Sequence, residues 1–96
     1  MRIVLDKSKI ANPELFIRRC GYGRMPSRGE VSYARRLQAT PYPRFHIYFK
    51  EEGDKLVINL HLDQKQPIYE GVKAHSGEYD GEVVEREAER IRGFCK

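Results

Sequence analysis

Residues 44–63 read RFHIYFKEEGDKLVINLHLD. Phe45, Ile47 and Phe49 alternate with His46, Tyr48 and Lys50. Beyond Glu51-Glu52-Gly53-Asp54, the residues Leu56, Ile58, Leu60 and Leu62 alternate with Val57, Asn59, His61 and Asp63. Period-two alternation on both sides of a glycine-containing turn marks an antiparallel hairpin. Only an even loop length keeps the apolar positions of the two strands on one face, because a slip of one residue turns a strand over. A two-residue connection at Gly53-Asp54, with glycine first, suits a type II′ turn. That register sets Phe49 opposite Ile58, Ile47 opposite Leu60, Phe45 opposite Leu62, and His46 opposite His61. A four-residue loop would instead put Asn59 opposite His46 and leave His61 diagonal to it.

Working outward, Asn12-Pro13-Glu14 has the chemistry of a helix start: an Asn cap, Pro at the first helical position and an acid in the first turn. Leu15, Phe16, Ile17 and Cys20 follow, with Arg18 and Arg19 at the cation-favouring end and Gly21 as the stop. Ile3 to Leu5 has the length of a short strand. Gly21 to Gly29 reads as a Gly/Arg/Pro/Ser loop. Val31 to Leu37 reads as a strand with Val31, Tyr33 and Leu37 on one face, and Pro41 and Pro43 bar regular structure until Arg44. Residues 64–79 form a long connection in which Ile68-Tyr69 or Val72 could add a brief strand. Asp80 is the expected cap of a last helix whose inward face is Val83, Val84, Glu87, Ala88, Ile91 and Phe94, with Glu82 and Arg86 paired four apart and Gly93 near its end. The expected fold is α+β, one domain over 1–96: a helix, a three-stranded antiparallel sheet and a helix. The hairpin offers one apolar face, so both helices are expected on it, leaving the other face to water or a ligand.

Ninety-six residues with a third of them charged fit one soluble domain. No apolar run approaches the roughly 20 residues that span a bilayer, and the opening Met1 to Asp6 is too soon interrupted for a signal peptide. Cys20 and Cys95 are too few for a disulfide framework or a zinc ribbon, and read as two reduced thiols of a cytoplasmic protein, with a Cys20–Cys95 bridge as the alternative. Charge is unevenly spread: residues 1–50 carry a net +8 and residues 51–96 a net −4. A basic half rich in arginine suits a polyanion, since the planar guanidinium matches phosphate and stacks on bases. Arg18, Arg19, Arg24, Arg28, Arg35, Arg36 and Arg44, with Tyr48 and Lys50, are the candidate nucleic-acid-binding residues. The competing reading pairs the basic half with the acidic half of the same chain.

The polar side of the hairpin carries His46, Tyr48, Lys50, Asn59, His61 and Asp63. Three functional readings fit beside that of a plain solvated face. In the first, RNA is cleaved without metal: His46 and His61 exchange protons with the 2′-hydroxyl and the leaving oxygen, Asp63 fixes the tautomer of His61, and Lys50 or an arginine steadies the phosphate. In the second, His46, His61 and His75, with Asp63 or Asp80, hold a metal, although the spacing matches no zinc motif. In the third, Tyr48 and the histidines stack on bases while arginines hold phosphates, with no chemistry. No cofactor is called for. The alternative to an RNA-directed protein is a non-catalytic interaction module, its basic half on an acidic protein partner or on a second copy through an exposed strand edge.

The expected helix–three-strand–helix order is that of the double-stranded-RNA-binding fold, and within it the chain resembles the HicA-type mRNA interferase toxins. Pro13 to Tyr22, ending Cys20-Gly21-Tyr22, is similar to that family's first helix and following Gly-aromatic. Phe45-His46-Ile47-Tyr48 is similar to its histidine-bearing strand, Val57 to His61 to the next strand, and Gly81 to Ile91 to its Gly-led final helix. The resemblance implies mRNA cleavage, His46 as the catalytic histidine and neutralisation by an antitoxin partner. The last helix here opens with Asp80, Gly81 and Glu82, whose acids repel a phosphate backbone. RNA would therefore meet the basic front half and the polar sheet face.

Overall fold

The computed structural model describes residues 1–26, 30–64 and 81–95, and the backbone of 77–78. The hairpin is its centre. Strands β4 (Arg44–Glu52) and β5 (Lys55–Asp63) pair over their whole length, joined by Gly53 and Asp54 alone. Gly53 has φ +59, the left-handed value that the first central residue of a tight hairpin turn needs and that glycine adopts without a Cβ penalty. The resulting register sets Phe45 opposite Leu62, His46 opposite His61, Ile47 opposite Leu60 and Phe49 opposite Ile58.

The sheet is larger than the expected three strands. β1 (Arg2–Asp6) lies along the free edge of β5, β3 (Ser32–Arg36) pairs with β4, and β2 (Gly23–Met25) pairs with β3. The path is thus β1-β5-β4-β3-β2, every pair antiparallel. A two-residue strand, β6 (Gly77–Glu78), adds to β5 at Leu62 and Asp63. The α+β class stands and the three-stranded sheet is corrected. β1 earns its place through Ile3 and Leu5, which sit opposite Ile58 and Leu56 and are buried. β2 has no apolar alternation; Gly-Arg-Met is a strand because backbone pairing with β3 makes it one.

Helix α1 (Pro13–Arg19) begins as its sequence dictates, with Asn12 Oδ1 accepting from Leu15 N at 3.1 Å. It ends at Gly21, whose φ is +99. Helix α2 (Glu82–Gly93) is capped by Gly81 rather than Asp80, which lies outside the described residues. One core unites Phe16 and Ile17 of α1 and Val84, Ala88 and Ile91 of α2 with Ile3, Leu5, Tyr33, Phe45, Ile47, Ile58, Leu60 and Leu62 of the sheet. Four positions expected inside are outside: Val31 and Leu37 flank β3, and Val83 and Phe94 are about half exposed on α2. Helical spacing alone draws too wide an apolar stripe; the narrower one that packs is Val84, Glu87, Ala88, Ile91.

Glu87 on that stripe is a buried acid, 4% exposed. Arg90 grips it with two bonds, Nε to Oε1 at 2.8 Å and Nη2 to Oε2 at 2.9 Å, and the Tyr22 hydroxyl donates to Oε2 at 2.5 Å. Arg35 stands 3.6 Å away, and Arg90 also donates to the Cys20 carbonyl. A carboxylate taken from water needs this many partners, and meeting them ties α2 to the end of α1 and to β3. Burial pushes the Cys20 thiol up to about 11, which removes it as a nucleophile at neutral pH.

If the Gly53 turn sets the register, Gly53→Val should lower the unfolding free energy by more than about 1 kcal/mol, while Gly53→Asn, which tolerates positive φ, should cost less. Urea denaturation of the two variants checks this. Equal losses would detach the turn from the stability of the sheet.

Candidate functional site

Directly paired residues in an antiparallel sheet project to the same face, so the registers define rows across the face opposite the helices. One row runs Gly23 (β2), Ala34 (β3), His46 (β4), His61 (β5). On one side of it lies Arg36, Arg44, Asp63, and on the other Met25, Ser32, Tyr48, Asn59, Arg2. The hairpin register thus makes the two histidines neighbours and puts Asp63 beside both.

Asp63 is the hub of this site. Its Oδ2 lies 3.3 Å from His46 Nδ1 and its Oδ1 lies 3.1 Å from His61 Nε2. Arg44 Nε donates to Oδ2 at 3.3 Å. Burial would raise the Asp63 carboxyl, but the hydrogen bonds and charges of His46 and His61 outweigh it and hold the group well below the ordinary carboxylate range. The rings are packed together: His46 and His61 centroids are 4.8 Å apart, His46 and Tyr48 4.9 Å, and Tyr48 stacks on His61 at 6.0 Å. The face was expected to be open to solvent. At the histidines it is not: each imidazole is only 13% exposed and Asp63 17%. Ser32 and Val57, on the same side, are buried as well.

The two imidazoles differ in what they leave over. His46 turns Nδ1 to Asp63, and its other nitrogen, Nε2, is buried with no hydrogen-bond partner among the described residues. An unsatisfied buried polar atom costs about 1–3 kcal/mol, and a bound water, an ion or a catalytic role are the ways such an atom is accounted for. His61 turns Nε2 to the same carboxylate, so one acid faces opposite nitrogens of the two rings, an arrangement that favours opposite tautomers.

The other candidate residues divide. Arg36 and Arg44 stand on the histidine face, Arg36 exposed and Arg44 under the influence of both Asp63 and the Tyr42 ring, 4.8 Å from its guanidinium carbon. Lys50 shares the face but sits beyond Tyr48, is mostly exposed and pairs with Glu52 at 3.1 Å, so Arg44 is the cation at the site. Arg24 and Arg35 are carried on the helix side of the sheet, opposite Tyr33 and Phe45. Arg18 and Arg19 belong to α1, where Arg18 approaches Glu14 at 4.0 Å. Arg28 and His75 lie outside the described residues, as do Ile68, Tyr69 and Val72. Arg2 joins the face through β1, a residue the sequence reading passed over because β1 was not placed in the sheet; the buried Ile3 and Leu5 were the signal that could have found it.

His46, His61 and Asp63 also form the one cluster of three potential metal ligands among the described residues, their donor atoms within 4.8 Å of one another. The donors fit a cation poorly. Both carboxylate oxygens already accept from an imidazole, and the Arg44 guanidinium puts a positive charge on Oδ2. Among the described residues no helix is long and apolar enough to cross a membrane. No protein-family model, curated protein or solved structure matches the chain.

The depressed Asp63 titration has a measurable consequence. The stability this carboxylate supplies is complete above its ordinary pKa of 3.8 and is lost as the pH falls below it. Asp63→Asn should therefore be less stable than the natural chain by roughly 1–3 kcal/mol at pH 7, with the gap narrowing below about pH 4. Urea unfolding at pH 7 and pH 3 reads both; a gap independent of pH would mean that the charge on Asp63 does not matter.

Proposed function

We propose that the chain binds RNA across the histidine face of its sheet and cleaves it by metal-independent transfer to the 2′-hydroxyl. The observation that carries this reading is the His46–Asp63–His61 cluster with Arg44 at its edge. RNA supplies the two things such a cluster can serve, a hydroxyl to deprotonate and an anionic centre for a guanidinium. His46 Nε2 takes the 2′-hydroxyl proton, and the ribose oxygen attacks the adjacent phosphorus. The bond to the 5′ oxygen breaks, and His61 in its imidazolium form returns a proton to that oxygen. The products are a 2′,3′-cyclic phosphate and a 5′-hydroxyl. Asp63 holds both rings, and Arg44, with its Nε on Asp63 and four further N–H groups, faces the charge that builds on the phosphate. Tyr48 offers a stacking surface for a base.

Because Nε2 has no solvent-exposed surface, the substrate reaches it only through a local opening of the face. That same burial favours the second reading, in which the face binds RNA and does not cut it. The similarity of the His46 strand to mRNA interferase toxins supports the cleavage reading, and with it a toxin role neutralised by a protein partner.

The test is incubation of labelled single-stranded RNA with the natural chain and with His46→Gln, in the presence of EDTA. Cleavage that falls by 10²-fold or more in the variant, about what general acid–base catalysis contributes, with binding intact, is the expected result. Binding without cleavage by the natural chain would establish the second reading. Unimpaired cleavage by His46→Gln would remove His46 from the chemistry, and no binding at low salt would leave a protein-interaction module in its place.

A further inference from the structure

The row that carries the histidines begins with the two smallest side chains on the face. Gly23 on the edge strand and Ala34 beside it leave a gap where larger residues stand on either side. The gap is a trench of about 330 Å³ lined by Gly23, Arg24, Met25, Ala34, Arg36, Pro41 and Arg44, a volume at the lower end of small-ligand sites. Its floor is sheet backbone and one methyl group. Arg36 and Arg44, cross-strand partners, form one wall, and Met25, from the neighbouring row, forms the other. Beyond Ala34, the next residue along the row is His46.

We propose that this trench is a nucleotide subsite for single-stranded RNA: base and ribose lie on the Gly23–Ala34 floor against Met25 and Pro41, and the phosphate meets Arg36 and Arg44. The inference rests on the RNA reading of the face and deepens it. Rows on one face of a strand are about 7 Å apart, so a trench one row wide takes a single chain and excludes a duplex. A flat, mostly apolar floor with a cationic wall is how single strands are held without base-specific contacts. The trench also gives the chain a direction, entering at the β2 edge and delivering the next phosphate to His46.

Gly23 makes the inference testable. A Cβ there would meet nothing within 4 Å and its backbone is not in the left-handed region, so Gly23→Leu fills the trench without straining the strand. Arg36→Ala removes a wall from an exposed position, and Arg19→Ala on α1 removes the same charge elsewhere. The probe is a 2′-O-methyl oligonucleotide, which cannot be cleaved, followed by fluorescence anisotropy across a salt series. Gly23→Leu and Arg36→Ala should each weaken binding roughly tenfold. Arg36→Ala should also lower the salt slope by roughly 0.7, while Arg19→Ala changes affinity less than about twofold, as expected of a residue with no phosphate contact. A duplex of the same length should bind more weakly than the single strand. Gly23→Leu binding like the natural chain, or Arg19→Ala losing as much as Arg36→Ala, would overturn the subsite, and so would a natural chain that does not bind the oligonucleotide. The cleavage reading is judged separately, on unmodified RNA: the trench stands if the oligonucleotide results hold and nothing is cut, and falls if they fail while cutting persists.

Discussion

The two-residue turn at Gly53-Asp54 constrains nearly everything else in this molecule. It sets the β4–β5 register, and in a strand the register decides which face every side chain occupies. With that pairing, Phe45, Ile47, Ile58, Leu60 and Leu62 form the floor on which both helices pack. The same pairing forces His46 and His61 together on the other side and brings Asp63 within reach of both. Core and candidate site are thus two faces of one hydrogen-bonded ladder.

Around the two histidines the polar face is not left to water. Imidazole, phenol and carboxylate groups cover one another, and the carboxylate is held ionised by the donors around it. Such a network is stable only if its members are satisfied, and one atom, His46 Nε2, is not. The Glu87 cluster on the helix side is a useful contrast. It too is a buried acid with several cationic or hydroxyl partners, but Glu87 is spent on joining helices to sheet. Asp63 joins no helix to the sheet, and the His46 Nε2 beside it has no hydrogen-bond partner among the described residues.

How far this was legible in the chain differs from element to element. The hairpin, its register and the His46–His61 contact follow from alternation and one glycine, because local pattern and tertiary burial agree there. The cap of α1 follows from Asn12 and Pro13. β2 was not legible, since Gly23-Arg24-Met25 carries no alternation and its pairing is imposed by β3. β1 was visible as a short apolar run, Ile3-Val4-Leu5, but nothing local says that this segment lies beside a strand more than fifty residues away. Charge counted along the chain shows a basic half but not whether its arginines share one surface. In three dimensions Arg35 turns to Glu87, Arg18 to Glu14 and Arg44 to Asp63, while Arg36 stands exposed on the histidine face. Glu87 was legible as an inward helix position, but the Tyr22–Glu87 bond was hidden because nothing in the sequence places a tyrosine sixty-five residues earlier beneath it.

The central claim is that Asp63 fixes His46 with its proton on Nδ1, leaving Nε2 as the base. Long-range nitrogen–proton correlation spectra of the imidazoles, recorded across a pH series, read this directly. The account predicts the Nδ1–H form for His46 and the Nε2–H form for His61, with His46 reverting to a tautomer mixture in Asp63→Asn. A His46 ring protonated on Nε2 in the natural chain, or one unchanged by Asp63→Asn, would contradict it.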